Sequence, residues 1–168
     1  MRILGVDPGL RVTGYGVIST GDGSSKNGEI ELIEAGIIRT EAKAGIAGRL
    51  KTIHDSLAEL ILELEPEILV IEKLFAHYKH PATAILMGHA RGVICLLSGT
   101  MKVPLTSIAS THVKKAVTGS GHASKLQIQR MVQNALKLKS VPEPPDVADA
   151  LALAISYAVN VKKRASIK

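Results

Sequence analysis

The sequence predicts an α/β fold in which a mixed five-stranded sheet is flanked by helices. Three observations carry that prediction. Three β-rich segments follow one another within residues 2–39, separated by turn residues, which makes an antiparallel meander. Two further apolar runs, at 67–72 and 103–108, alternate with segments of helical period. The chain from 110 onward is mostly helical, and helices need a sheet face on which to bury their apolar stripes.

Residues 2–7 (RILGVD) read as a short buried strand that stops on a carboxylate, and Pro8-Gly9 breaks it. Residues 13–19 form a second strand, GDGSSKNG at 21–28 a polar turn, and 29–39 a third strand. Leu50, Ile53, Leu57, Leu60, Ile61 and Leu64 share one face, which predicts a helix over 45–64 that Pro66 ends. Residues 67–72 (EILVIE) are almost continuously apolar, as a central strand buried on both faces must be, and stop on Glu72. Residues 75–81 read as a loop, and 82–98 as an alanine-rich helix whose small residues allow close packing. The strand at 103–108 is followed by helices at 110–118 and 123–137, joined by Gly119-Ser120-Gly121. Three prolines within 139–145 make a loop, and Asp146 then opens a final helix as its N-cap. At 168 residues the chain suits one domain over 1–160, with 161–168 as a frayed basic tail.

Hydrophobic residues make up 46% of the chain and charged residues 21%, enough apolar surface for a core and too little charge for a disordered polyelectrolyte. Lysine plus arginine number 21 against 15 acids, and the net charge of +6 suits a polyanionic partner. Aromatics are only 2%, so an aromatic platform for stacking single-stranded RNA is excluded. The single cysteine, Cys95, excludes an intramolecular disulfide framework and a cysteine-based zinc cluster, and reads as a small core residue. The N-terminus is too short in apolar residues for a secretory signal, and no uninterrupted apolar run approaches the roughly 20 residues that span a bilayer. The expected address is the cytoplasm.

The candidate chemistry lies in the acids Asp7, Glu72, Asp146 and Asp149. Asp7 and Glu72 end apolar strands, and parallel neighbours would bring them to the same sheet edge, where ligands bind in such sheets. Asp146 and Asp149, three apart, share one helical face. Acids brought together raise one another's pKa values, and a hard divalent cation such as Mg²⁺ relieves that conflict. Two such cations about 3.5–4 Å apart can hydrolyse a phosphodiester. Each acid also has a plainer reading: Asp7 as a turn former, Glu72 as a surface acid at a strand end, and the Asp146–Asp149 pair as a helix cap and dipole partner. His77 and His80, as well as His112 and His122, read as exposed polar groups without a third metal ligand.

Five ordered segments resemble the RuvC family of Holliday-junction resolvases: ILGVDPGLRVTGYGVI, VIEKLF, GHARGVI, HVKKAVTGSGHASKLQIQRMV and DVADALALAI. The resemblance spans nearly the whole chain. It implies a ribonuclease-H-like fold, a homodimer, and Mg²⁺-dependent endonuclease activity that nicks two strands of a four-way DNA junction symmetrically. It implies two Mg²⁺ per site, with Mn²⁺ able to substitute, and products with 5′-phosphate and 3′-hydroxyl ends. The family's four catalytic acids fall on Asp7, Glu72, Asp146 and Asp149. Its DNA-contacting aromatic falls on Phe75, set to stack on an unpaired base, and its basic residues fall on Lys114 and Lys125. Its partners are the RuvA and RuvB branch-migration proteins. His77, Tyr78, Lys79 and His80 match no pattern that the resemblance assigns.

Three other readings stand beside this one. A strand followed by a Gly-x-Asp-x-Gly turn, here at 5–9, also opens actin-like and sugar-kinase folds, but those need two such domains and a longer chain. A related RNA-processing nuclease would share the composition. A non-catalytic junction-binding module would share the basic face, though it would have no use for four acids.

Overall fold

The computed structural model describes residues 1–21, 30–73 and 81–165. Strands β1 (Arg2–Asp7), β2 (Val12–Thr20) and β3 (Ile30–Arg39) form the expected meander. Helix α1 (Ile46–Leu64) then crosses to β4 (Ile68–Glu72), and α2 (Pro81–Met101) crosses to β5 (Leu105–Ile108). Helices α3 (Ser110–Thr118), α4 (Lys125–Ala135) and α5 (Pro145–Ala165) complete the chain. The sheet order is β3-β2-β1-β4-β5, with β1, β4 and β5 parallel and β2 antiparallel to both its neighbours. This is the mixed five-stranded sheet flanked by helices that the sequence predicts.

Alternation along the strands sorts the core into two halves. Leu4, Val6, Leu69 and Ile71 face α1 and α2, where Ile53, Leu57 and Ile61 recur every fourth residue along α1. Ile3, Val70 and Ile18 face α3, α4 and α5. Helix α1 stops where Glu65 turns left-handed at φ 44° and returns its N–H to the Ile61 carbonyl, just before Pro66. Helix α4 starts at a capping box: Ser124 Oγ accepts from the Gln127 N–H at 3.3 Å, and Gln127 Oε1 accepts from the Ser124 N–H at 2.8 Å.

Helix α5 lies unusually close to the sheet. A Cβ at Gly5 would overlap the Ala150 carbonyl oxygen and come within 2.9 Å of the Ala154 nitrogen. One at Gly14 would overlap the Asp146 carbonyl, and one at Gly16 would meet Leu151 at 2.5 Å. Gly5 pairs with Gly16 across the β1–β2 ladder, and Asp7 pairs with Gly14. The glycines thus leave a trough in one face of the sheet, which is the use of glycine in a strand where another backbone approaches.

Several expectations are corrected here. Helix α2 is longer than 82–98, and its small residues do not seat it deeply: it buries Ala90, Ile94 and Leu97 but leaves Ile85 61% and Leu96 57% exposed. Cys95 is exposed, on the side of α2 away from the core. Residues 82–101 are long and apolar enough, by length and composition, to cross a membrane, with 17% of that window buried, though His89 and Arg91 interrupt the apolar run. Helix α4 ends at Ala135 rather than 137, and α5 continues helically to Ala165, into the segment expected to fray.

Valine at Gly5 or Gly14 is expected to destabilise by at least about 1–3 kcal/mol, because the obstructing atoms are backbone and cannot step aside. Alanine at the exposed Gly48 of α1, where the nearest atom is 3.6 Å away, is expected to stabilise by about 0.5–1 kcal/mol. Urea unfolding of the three variants measures both; an unchanged midpoint for Gly5→Val would contradict the close seat of α5.

Candidate active site

Asp7 and Glu72 end the two central parallel strands. The β1–β4 register runs Ile3 opposite Ile68 to Val6 opposite Ile71, so its next step sets Asp7 beside Glu72. Both point to the α5 side, like Gly5 and Val70 before them. The turn after Asp7 is held from three sides. Thr13 Oγ1 donates to the Gly9 carbonyl at 2.7 Å, and Thr40 Oγ1 and Arg49 Nη2 donate to the Leu10 carbonyl at 2.6 and 2.9 Å. On the far side, Arg91 of α2 donates to the Glu72 carbonyl oxygen through Nη1 and to Ser107 Oγ through Nη2, the latter at 2.7 Å. Arg91 therefore ties the ends of β4 and β5 to each other.

The first turn of α5 supplies the other two acids. Pro145, not Asp146, is the first helical residue, so Asp146 sits inside the first turn rather than at the N-cap. Proline suits that position because its missing N–H would be unpaired there in any case. The contact of the Asp146 carbonyl with Gly14, the ladder partner of Asp7, sets the start of α5 directly against the end of β1.

Asp7, Glu72 and Asp149 line one cleft of about 260 Å³, with Ser110, Lys114 and Lys125 in its wall. Asp146 is not part of that lining, but its charge acts on Asp7 and Asp149. Lys125, the first residue of α4 and so placed by the Ser124–Gln127 capping box, brings Nζ to 3.8 Å from Asp149 Oδ2. Burial pushes the Asp7 carboxyl from its ordinary 3.8 up to about 7, reinforced by Asp149, Glu72 and Asp146 and opposed by Lys125. Burial also raises Asp149; Lys125 opposes this most, Glu72 and Asp146 reinforce it, and Lys114 opposes it further. Among the described residues, no three His, Cys, Asp or Glu side chains are closed into a ready ligand cage. The fit to a cation rests on chemistry instead: an all-oxygen donor set in which burial, reinforced by the neighbouring acids, lets Asp7 hold a proton up to about pH 7.

Phe75, His77, Tyr78, Lys79 and His80 lie outside the described residues. Sequence reasoning missed Arg91, whose role needs the three-dimensional neighbourhood of Glu72 and Ser107. It also missed Gly5, Gly14 and Gly16. The signal for them was present, since glycine is depleted in strands and three within two paired strands mark a close approach.

The family model for crossover junction endodeoxyribonuclease RuvC matches residues 3–157. The chain belongs to the RuvC family. A RuvC from Rhodopirellula baltica is 47% identical over 153 residues, covering 91% of this chain and 83% of the relative. The solved RuvC of Thermus thermophilus superposes with a TM-score of 0.87 at 29% identity, covering 98% of this chain and 97% of that one. The T. thermophilus RuvC in complex with Holliday junction substrate superposes with a TM-score of 0.88 at 28% identity, covering 98% and 96%. RuvC proteins are endodeoxyribonucleases that depend on a divalent metal.

The raised pKa of Asp7 sets the sign of a pH effect. Between about pH 4 and pH 7 the folded protein holds a proton on Asp7 that the unfolded chain has released, so this group's contribution to stability falls as pH rises through that window. Asp7→Asn removes the penalty. In EDTA its gain in Tm over wild type is expected to be larger at pH 8 than at pH 4.5, by the equivalent of a few kcal/mol at most. Equal gains at the two pH values would contradict the burial of Asp7 among like charges.

Proposed function

We propose that this chain is a structure-selective endonuclease that resolves four-way (Holliday) DNA junctions by paired symmetric nicks, in recombination and repair. The observation that carries this reading is the meeting of Asp7, Glu72 and Asp149 in one cleft walled by Lys114 and Lys125, in a chain of the RuvC family. The junction complex of T. thermophilus RuvC supports the choice of substrate. Asp7, Glu72, Asp146 and Asp149 are read as the catalytic acids and as the residues that hold Mg²⁺, two ions per site, with Mn²⁺ as a substitute. Bound cations supply Lewis-acid activation of water and charge stabilisation at phosphorus. Asp7, buried deepest in charge repulsion, gains most from their arrival. Lys114 and Lys125 hold the scissile phosphate against the acids by charge, and Phe75 stacks on an unpaired base. Products carry 5′-phosphate and 3′-hydroxyl ends. Residues 1–160 act as one nuclease domain, with basic 161–168 following it, and the working compartment is the cytoplasm.

Two related cuts need two sites, and a two-fold axis supplies them. We place that axis against α2. Its exposed Ile85 and Leu96 share one face with Gly88 and Gly92, which have nothing within 4 Å of an added Cβ, so a second helix can approach this apolar side closely. Arg91 on the same helix holds the Glu72 carbonyl, which connects this face to the carboxylate cleft. RuvA and RuvB are the proposed partners that deliver the junction.

Asp7→Asn is expected to fold and to bind a mobile four-way junction, but to lose cutting by about 10²–10³-fold, on the order of a lost charge-stabilising group. Gel assays with Mg²⁺ against an EDTA control read this, and cutting retained by the variant would overturn the assignment. Leu96→Glu is expected to yield monomers by analytical ultracentrifugation and to make uncoordinated single nicks in place of paired ones. A monomer that still makes paired cuts would remove α2 from the scheme.

A further inference from the structure

Beside the carboxylate cleft lies a second and larger concavity, of about 670 Å³. Its floor is the outer strand β5 from Thr106 to Ile108, and its walls are α3 and the far half of α5, with Tyr157 and Asn160. Lys73, His112 and Lys115 line it, and no carboxylate does. His112 and Lys115 are three apart and share one face of α3. The Lys73 N–H donates to the Ile108 carbonyl at 2.9 Å, which fixes the backbone from which that lysine projects. Among the described residues, none of the three is in an ion pair.

The two concavities share a wall, and the residue order shows how. Glu72 lines the carboxylate cleft and Lys73, the next residue, lines the groove. Lys114 lines the cleft and Lys115 lines the groove. Consecutive side chains diverge by about 100° around a helix and to opposite sides of an extended chain, so each pair straddles the divide. Acids for cations are gathered on one side of α3, and cations without acids on the other. A ligand that reaches both must be a polyanion that runs on beyond the reacting phosphate.

We propose that this groove binds the sugar-phosphate backbone of a junction arm as it leaves the carboxylate cleft. Lys73 and Lys115 neutralise phosphates, and His112, Thr106 and Asn160 offer hydrogen bonds to them. The groove carries no sequence preference, because backbone contacts set register and orientation without reading bases. It gives the chain a hold on duplex outside the branch point. The proposal rests on the junction-nuclease reading above, since it requires DNA whose cleaved strand continues past the acids.

The test is binding of the full chain to four-way junctions in EDTA, titrated with salt, with the arms shortened in steps. The variants are Lys73→Gln/Lys115→Gln and Lys73→Arg/Lys115→Arg. On long arms the glutamine double variant is expected to show a slope of log K against log salt shallower by about 3.6, since each of the two protomers on a junction loses two phosphate contacts at about 0.9 each. The arginine double variant keeps the wild-type slope. On arms too short to leave the cleft, all three proteins coincide. A wild-type slope for the glutamine variant at every arm length overturns the groove, as does a defect that persists undiminished on the shortest arms. Loss of junction preference over linear duplex in the wild type overturns the nuclease reading itself and is told apart by that control.

Discussion

The seat of α5 in the glycine trough of β1 and β2 is the contact on which the rest of the site depends. Asp7 and Glu72 belong to the sheet, whereas Asp146 and Asp149 belong to a helix more than seventy residues further along the chain. Backbone against backbone is the closest approach a helix and a sheet can make; Gly5 and Gly14 permit it, and Gly16 makes room for the Leu151 side chain. The buried apolar residues of α5, Val147, Leu151, Ala152 and Ile155 among them, hold the helix down by apolar burial. Burial therefore drives the contact, the glycines set its depth, and the depth brings helix acids and strand acids into one electric field.

That field is costly to the folded protein and useful for the same reason. The charged forms of Asp7 and Asp149 are disfavoured by burial and by their acidic neighbours, so the cluster stores an affinity for positive charge. Lys125 meets part of it at 3.8 Å from Asp149, and the lysine at 114 acts on the same carboxylate. The arrangement is polarised around α3: consecutive residues face opposite sides, with Asp7, Glu72, Asp149 and two lysines on one side and Lys73, His112 and Lys115, without an acid, on the other.

Much of the fold was legible because its signals are local. Short apolar runs, some alternating and some continuous, located five strands, the helical spacing that includes Ile53, Leu57 and Ile61 located α1, and the prolines at 66, 142, 144 and 145 punctuated the chain. The errors also have local causes. Asp146 carries a strong capping preference, yet the helix begins at Pro145 because proline is pre-organised for the first helical position. Apolar composition in α2 suggests burial, and of Cys95 with it, but a helix can be apolar on several sides while the core covers only the stripe of Ala90, Ile94 and Leu97.

The sequence by itself determined the order of elements, the acids that end β1 and β4, the acidic first turn of α5, and the basic balance of the surface, since each follows from residue type and spacing along the chain. The tertiary structure alone decided which of these meet. It set Asp149 with Asp7 and Glu72 while leaving Asp146 outside the cleft lining, brought Arg91 to the Glu72 carbonyl, turned one side of α2 to solvent, and divided the basic residues between two concavities. The physical reason is that long-range proximity is set by packing depth and strand pairing, and those depend on what each residue faces rather than on what it follows.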